Sequence, residues 1–586
     1  MSSLTRRDLL RSGVILSAAS LAPGGAAALT QSFADGKQHE ARQSHGVEHP
    51  ATLKHLLNMV HHNPGEPLFI TKYLRPDYLK RLGFNGEAPR VYIQSAVTYD
   101  RYAPGLISPD SATWAWIQRY AHNIDHLIEE HTQAGLPLYP FTDLLVLPRE
   151  LMDAFGSEMR DAEGHLSIQR PRTQEVMRAQ IEAIFRRFPA LDGLTTRFGE
   201  TYLSDTPFHA GDRPVRTPEE HTLLINILRD EICVKRGKTL FYRTWDFGML
   251  HTQPGLYLRA TNAVDPHPKL FFSIKHSNAD YLRDVPRNKT LGIGRHAQIV
   301  EVSMMQAGCY GRGAYPYYIA HGVLHGWPEL GPHQGIDELL RDGKLAGLYT
   351  WTRGDGWSGP YISNEFWTDL NLYVITQFAL RPHLDDKTLF HEYCTEKLQA
   401  SEADARRLYE LALLSEHAVF IGAQSAVFHI EPWWQRDDKL TDADLKGVDE
   451  TKVLAEKGRA TAEWQKIETL SRQIHLKNAS DQEYLQVSST YGRIYFSIIE
   501  QLWTLQLLEK HPRDEANTAA RLQALAAYDR LWLEWQKLEC DHACCATLYM
   551  AFWPQTYPPT WREHPYEGKA QPNHDTPVVA RCRAAV

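Results

Sequence analysis

Five apolar runs in this sequence stop at residues that can move protons or hold charge. One ends Thr196-Arg197-Phe198-Gly199-Glu200, where a carboxylate behind a glycine turn is a candidate general acid. A second ends Tyr242-Arg243-Thr244-Trp245-Asp246, and a third ends Ile274-Lys275-His276 with Asp280 close behind. The fourth carries Glu301 within the run Ile299–Met304 and continues to Gln306; the fifth ends Trp351-Thr352-Arg353-Gly354-Asp355-Gly356-Trp357. Glu301 is the sharpest of these, because a carboxylate inside an apolar run is costly to bury unless it is paired. Such a cost is met where function needs it. Carboxylates among tryptophans point to glycoside hydrolysis, which takes one protonated acid and one ionised base or nucleophile. Arg243 and Lys275 sharpen this: a guanidinium fork and an ammonium point charge together suit an anionic group on the substrate. Arg197 adds a third cation, and Trp245, Trp351 and Trp357 offer flat faces for sugar rings.

Other chemistries remain open on the same residues. Glu301 attacking directly would make a retaining hydrolase, with carboxyl groups about 5–5.5 Å apart rather than the about 6.5–9.5 Å of inversion. A polysaccharide lyase would set the cations on a uronate carboxylate and use His276 or Tyr242 on the neighbouring C–H. A barrel that only binds sugar would need no acid. The tyrosine-rich stretch Tyr310 through Tyr318 suits either sugar stacking or packing, and His429 to Trp434 either borders the cleft or packs between domains. Cys540, His542, Cys544 and Cys545 cluster without Cys-x-x-Cys pairs, so neither a metal nor another cofactor is expected. No Gly-x-Gly-x-x-Gly follows a strand, which removes a nucleotide role.

The elements that must position these residues form a repeating pattern. Strands are expected at Leu68–Tyr73, Arg90–Thr98, Pro137–Leu145, Gly193–Phe198, Thr239–Trp245, Leu270–Lys275, Gln298–Met304 and Gly347–Thr352. Helical stretches such as Ala112–Gln133, Thr173–Phe188 and Pro218–Arg236 separate several of them. Eight strands in this rhythm predict an α/β fold, a (β/α)8 TIM barrel over residues 64–384, with its chemistry at the C-terminal ends of the strands. An all-helical C-terminal domain is expected over 385–586.

Within that frame, Ser273-Ile274-Lys275 through Asp280, followed by Ile299-Val300-Glu301 through Gln306, resembles the α-glucuronidases of glycoside hydrolase family 67. In that family a strand ending Gln-Ile-Lys is followed, five residues after the lysine, by a catalytic aspartate. Its next strand carries Glu-Phe-Gln-Ile-Thr-Gln, with the second catalytic carboxylate at its start. Gly356-Trp357-Ser358-Gly359 and Asn371-Leu372-Tyr373 are similar to its Asn-Trp-Thr-Gly and Asn-Leu-Tyr. The resemblance implies inversion, with Glu200 as general acid, Asp280 and Glu301 activating water, and Arg243 and Lys275 on the uronate carboxylate. It also implies an acidic oligosaccharide or polysaccharide as substrate, and a helical C-terminal domain that helps build a homodimer. The sequence departs from the family at Thr196, where a second uronate lysine is expected, and shows no N-terminal β-sandwich before the first strand.

Composition narrows the rest. The chain has 586 residues, with 63 basic and 71 acidic ones and a net charge of −8, which argues against a nucleic-acid partner. Fifteen tryptophans are abundant enough to supply sugar platforms, although most serve packing. Thr5-Arg6-Arg7-Asp8-Leu9-Leu10-Arg11, a short apolar run and Ala26-Ala27-Ala28 predict a twin-arginine export signal over 1–28, followed by a polar lead over 29–63. A periplasmic or secreted enzyme with no membrane anchor after cleavage is expected. A substrate anion would need the local Arg243 and Lys275 clamp, since the bulk charge repels it.

Overall fold

The computed structural model describes residues 53–61, 71–198, 206–245, 250–279, 285–304, 314–353, 364–427, 445–546 and 575–586, with Leu203, Tyr281, Arg283 and Leu548. The export signal, most of the polar lead and the His429–Trp434 stretch lie outside these residues. Among the described residues no helix is long and apolar enough to cross a membrane.

Eight parallel strands make one sheet: β1 (His55–Val60), β2 (Gly86–Glu87), β3 (Phe141–Asp143), β4 (Gly193–Arg197), β5 (Thr239–Arg243), β6 (Leu270–Lys275), β7 (Gln298–Ser303) and β8 (Gly347–Arg353). The ladder runs β2-β1-β8-β7-β6-β5-β4-β3. Its two ends meet only in isolated bridges, Glu87 with Leu138 and Arg90 with Phe141. The sheet therefore curls as expected for a barrel but is not closed by a continuous ladder. Pro89 faces the seam and has no N–H to donate, which interrupts the backbone bonds that cross there from Glu87, Tyr139, Phe141 and Val91.

Strand parity separates two cores. Leu57, Met59, Tyr139, Phe141, Phe241, Phe271, Ile299, Tyr349 and Trp351 pack together inside the curl. The intervening residues, among them Leu56, Leu240, Phe272, Val300 and Leu348, face the helices. His55 meets Phe241 and Phe271 across the interior, with ring centroids 5.0 and 4.6 Å apart. The first strand lies earlier than the expected Leu68–Tyr73, within the stretch read as a polar lead, and Lys72–Leu74 is a 3-10 turn. Asn58 hides this strand in the sequence; its amide is spent on the Tyr73 carbonyl and on Glu87.

The helices are α1 (Pro76–Arg81), α2 (Ala112–Ala134), α3 (Arg149–Met159), α4 (Pro171–Arg187), α5 (Pro218–Leu228), α6 (Pro254–Thr261), α7 (Ile319–His325), α8 (Asp337–Arg341), α9 (Phe366–Leu380), α10 (Asp386–Glu392), α11 (Glu402–Ala423), α12 (Glu450–Arg472), α13 (Ala479–Leu508), α14 (Glu515–Asp541) and α15 (Pro577–Arg583). Their starts carry local signals. Thr217 and Glu220 form a capping box with Pro218 in the first turn, and Ser111, Asp385 and Ser401 cap α2, α10 and α11. The C-terminal region is helical, as expected, with α11, α12, α13 and α14 packed in succession. Trp464 stacks on Phe496 at 4.8 Å, in space that a side chain at Gly492 would fill.

Gly193 starts β4 against the β5 backbone, where a Cβ would fall 1.9 Å from the Thr239 carbonyl oxygen. Gly193→Ala is expected to lose about 1–3 kcal/mol through forced strand separation. Gly255→Ala, in the first turn of α6 with open space around it, is expected to be neutral or to gain up to about 1 kcal/mol. Denaturant midpoints of the two variants check the contrast.

Candidate active site

The inward positions change character toward the C-terminal ends of the strands. Below are aromatic and aliphatic side chains; above them are His61, Arg90, Asp143, Arg197, Arg243, Ser273, Lys275, Glu301, Trp351 and Arg353, all buried or half-buried. At their centre Arg243 donates from Nε and Nη2 to the two oxygens of Glu301, both at 2.7 Å. β6 lies between these two strands. Its residue in register with Arg243 is Ser273, small enough for the guanidinium to reach across. Ser273 donates its hydroxyl to Glu301 at 2.7 Å, and the Tyr281 hydroxyl donates at 3.2 Å. Glu301 thus accepts four hydrogen bonds, which fills its lone-pair positions.

Burial pushes the Glu301 carboxyl up, but the charge and hydrogen bonds of Arg243, with Lys275 and Ser273, outweigh it and bring it down to about 2. Arg243 is raised in turn; burial works against it and Glu301 overcomes that. Glu301 is therefore fixed as an anion at any physiological pH.

Lys275 is in register with Glu301 on the adjacent strand. Its ammonium sits 3.5 Å from the centre of the Trp245 ring, 5.0 Å from Tyr281 and 5.4 Å from Trp351. His61 stacks on Trp351 with ring centroids 4.9 Å apart, and the Arg243 guanidinium lies 5.3 Å from the same ring. The two tryptophans expected as sugar platforms are thus at the site, but both are buried and engaged with cations. Arg197, expected to face a uronate, donates to both oxygens of Asp143 at 2.8 and 2.6 Å. Two donors, Arg243 Nη1 and Trp351 Nε1, are buried with no hydrogen-bond partner among the described residues.

Glu200, Asp280, Gln306, Asp355 and Trp357 lie outside the described residues. Asp143, Tyr281 and His61 are additions that the reading of the sequence passed over. Parity alone signals two of them: His61 continues the inward series Leu57, Met59, and Asp143 continues Tyr139, Phe141. Tyr242, one of the two residues offered for a lyase, points to the outer core and bonds His221 at 2.6 Å. The other, His276, is buried against Tyr281, and burial lowers it to about 4, so it is neutral. Tyr315, Tyr317 and Tyr318 are buried, Tyr315 packing on Trp464 and Phe496; they serve packing rather than a sugar surface. Cys540 is exposed, and His542 bonds Glu483 at 2.7 Å.

No known family profile matches this sequence, and no curated protein matches it. Among solved structures the chain is similar to a glycoside hydrolase family 138 enzyme targeting pectin rhamnogalacturonan II, with 12% identity and a TM-score of 0.54 over 91% of this chain and 83% of that one. It is also similar to a family 89 glycoside hydrolase from Clostridium perfringens (11% identity, TM-score 0.48, 81% and 54% of the two chains). An O-GlcNAc hydrolase from Thermobaculum terrenum follows at 9% identity and a TM-score of 0.39, covering 82% and 89%. At these identities the first likeness is one of fold, and the weaker two add nothing to it. That likeness of fold is to a family 138 enzyme and does not single out family 67.

The Arg243–Glu301 pair makes a testable contribution to stability. The folded-state value of Glu301 lies below its ordinary 4.5, so its contribution is present above about pH 4.5 and is lost as pH falls toward 2. The shift corresponds to about 3 kcal/mol. Glu301→Gln leaves Arg243 buried without a counter-charge and is expected to cost about 3–5 kcal/mol at pH 7. Its stability should also depend less on pH below 4.5 than that of the parent. Thermal midpoints across pH check both, and an unchanged midpoint at pH 7 would remove the pair from this role.

Proposed function

We propose that this protein is an exported glycoside hydrolase acting on a uronic-acid-bearing glycan, an α-glucuronidase-like enzyme of polysaccharide breakdown. The observation that carries the reading is a pair of buried cations at the mouth: Arg243 bonded to Glu301, and Lys275 in register with Glu301 on the next strand. Two buried donors there, Arg243 Nη1 and Trp351 Nε1, offer hydrogen bonds to a ligand. An unsatisfied buried donor costs about 1–3 kcal/mol, which an anionic oxygen would recover on binding. The fold supports the same reading, since strand C-termini are where such barrels carry their chemistry.

In this reading Glu200 protonates the leaving oxygen and Asp280 activates water, giving inversion. Glu301, with its lone pairs filled, is the fixed anion that holds Arg243 and Tyr281 in place rather than a strong base or a nucleophile. Lys275, with Arg243, receives the substrate carboxylate. Gln306, Asp355 and Trp357 complete the sugar subsite. Export by the twin-arginine signal puts the enzyme in the periplasm or outside the cell, and a homodimer through the helical domain follows the same resemblance.

Uronic-acid-capped oligosaccharides are the substrates to test, with the product anomer read by proton NMR. Release of the uronic acid with inverted configuration is expected, and release of neutral sugars alone would refute the clamp. An unsaturated uronate product, seen by its absorbance, would instead make the protein a lyase. Lys275→Met is expected to lose roughly 10- to 100-fold in kcat/KM on the uronate substrate, the worth of one charged hydrogen bond. Glu200→Gln should abolish turnover while the ligand still binds.

A further inference from the structure

A second group of side chains lies where α7 meets the helical region. His321 and His325 stand one turn apart on α7, with ring centroids 5.0 Å apart, so both project from one face of the helix. Asp386, in the first turn of α10, approaches them; its Oδ1 is 2.8 Å from His325 Nε2. One ligand atom from each of the three lies within 4.8 Å of the others.

The surroundings of the three make them more than a chance cluster. His321 Nδ1 faces Glu416 of α11 at 2.9 Å, which leaves the opposite ring nitrogen for a ligand role. Asp337 of α8 stands 3.5 Å from His325 Nδ1, likewise behind the ring. The Tyr318 hydroxyl donates to the second oxygen of Asp386 at 3.2 Å. Each inner group is therefore held from behind by an outer one, the carboxylate–histidine arrangement that fixes ring orientation in metal sites. Asp386 and Glu416 are buried while His325 is half-exposed, which gives an ion a path in.

We propose that His321, His325 and Asp386 form a binding site for a divalent first-row cation of the zinc class, clasping α7 to α10. Two imidazoles and a carboxylate are the donor set such ions prefer, and three protein ligands leave a position for water. Bonds of about 2.0–2.2 Å to a tetrahedral ion set its ligand atoms about 3.3–3.6 Å apart. His325 Nε2 and Asp386 Oδ1, now 2.8 Å apart, would open slightly, exchanging their hydrogen bond for the ion, while wider separations, within 4.8 Å, close by small side-chain rotations. This site is independent of the sugar chemistry proposed at the barrel mouth.

The test uses the full-length chain, loaded with zinc, dialysed against metal-free buffer and analysed for metal. About one zinc per chain, with a raised thermal midpoint relative to chelator-treated protein, is expected. Cobalt(II) substitution of the unmutated chain should give visible d–d bands without a thiolate charge-transfer band, which separates this site from Cys540, Cys544 and Cys545. His325→Ala should lose at least about tenfold in zinc affinity, and Glu416→Gln roughly 10- to 100-fold, as for outer partners of metal ligands. No zinc retained by the unmutated chain, a thiolate band with cobalt, or undiminished affinity in a folded His325→Ala chain would each overturn the proposal. Should His325→Ala fail to fold, the cobalt spectrum and metal content of the unmutated chain decide alone.

Discussion

Moving a guanidinium and a carboxylate together out of water costs several kcal/mol for each ion, and only good geometry with further hydrogen bonds returns it. Arg243 and Glu301 meet those terms at the barrel mouth with two parallel bonds of 2.7 Å and two hydroxyl donors. Much of the mouth is arranged by that pair. It draws β5 and β7 together over Ser273, points Tyr281 inward, and puts a positive edge against Phe141 and Trp351. Glu301, bonded to Arg243 and in register with Lys275, lowers the repulsion between the two cations. Removing the carboxylate would leave the Arg243 guanidinium buried against Phe141 and Trp351 without it.

The seam between β2 and β3 shows a different constraint. A parallel sheet gains most when each strand is paired on both sides, yet Pro89 removes one donor on this side, which keeps only isolated bridges. Side chains brace β2 from behind. Glu87 pairs with His131 of α2 at 2.8 Å and accepts from Asn58, while the Tyr349 hydroxyl donates to the Ala88 carbonyl from across the interior. The seam itself is crossed by four backbone hydrogen bonds, Glu87 to Pro137, Tyr139 to Glu87, Phe141 to Pro89 and Val91 to Phe141. The buried side-chain contacts brace β2 from its other side, against α2, β1 and β8.

Legibility in the sequence follows from these physics. β4 to β8 are five to seven residues long, buried on both faces and stopped by polar residues, so their apolar runs stand out. β2 is only two residues long and β1 is masked by Asn58, while β3 falls inside the expected Pro137–Leu145 but spans only Phe141–Asp143. The gathering of Arg243, Lys275 and Glu301 at one end could be read because strand endings are local. Their pairing could not, because it depends on which side chain reaches across a neighbouring strand. For the same reason Trp245 and Trp351 looked like free platforms, when cations already occupy their faces. Asp143 was legible by parity and was missed because its strand was drawn too long, through Leu145, which blurred where the strand ends.

Among the described residues, Arg283 links the helical region to the segment beside the site. Arg283, two positions after Tyr281, is buried between Trp327 and Phe420, at 4.8 and 4.9 Å, and pairs with Glu329 at 2.7 Å. Phe420 belongs to α11, so the segment after β6 is gripped by the helical region from outside. Tyr281, on the same segment, both bonds Glu301 and forms one wall around Lys275. α11 thus contacts Arg283 through Phe420, and Arg283 is tied along the chain to Tyr281, which bonds Glu301. The helical region and the ion pair of the sheet therefore meet on one short segment after β6.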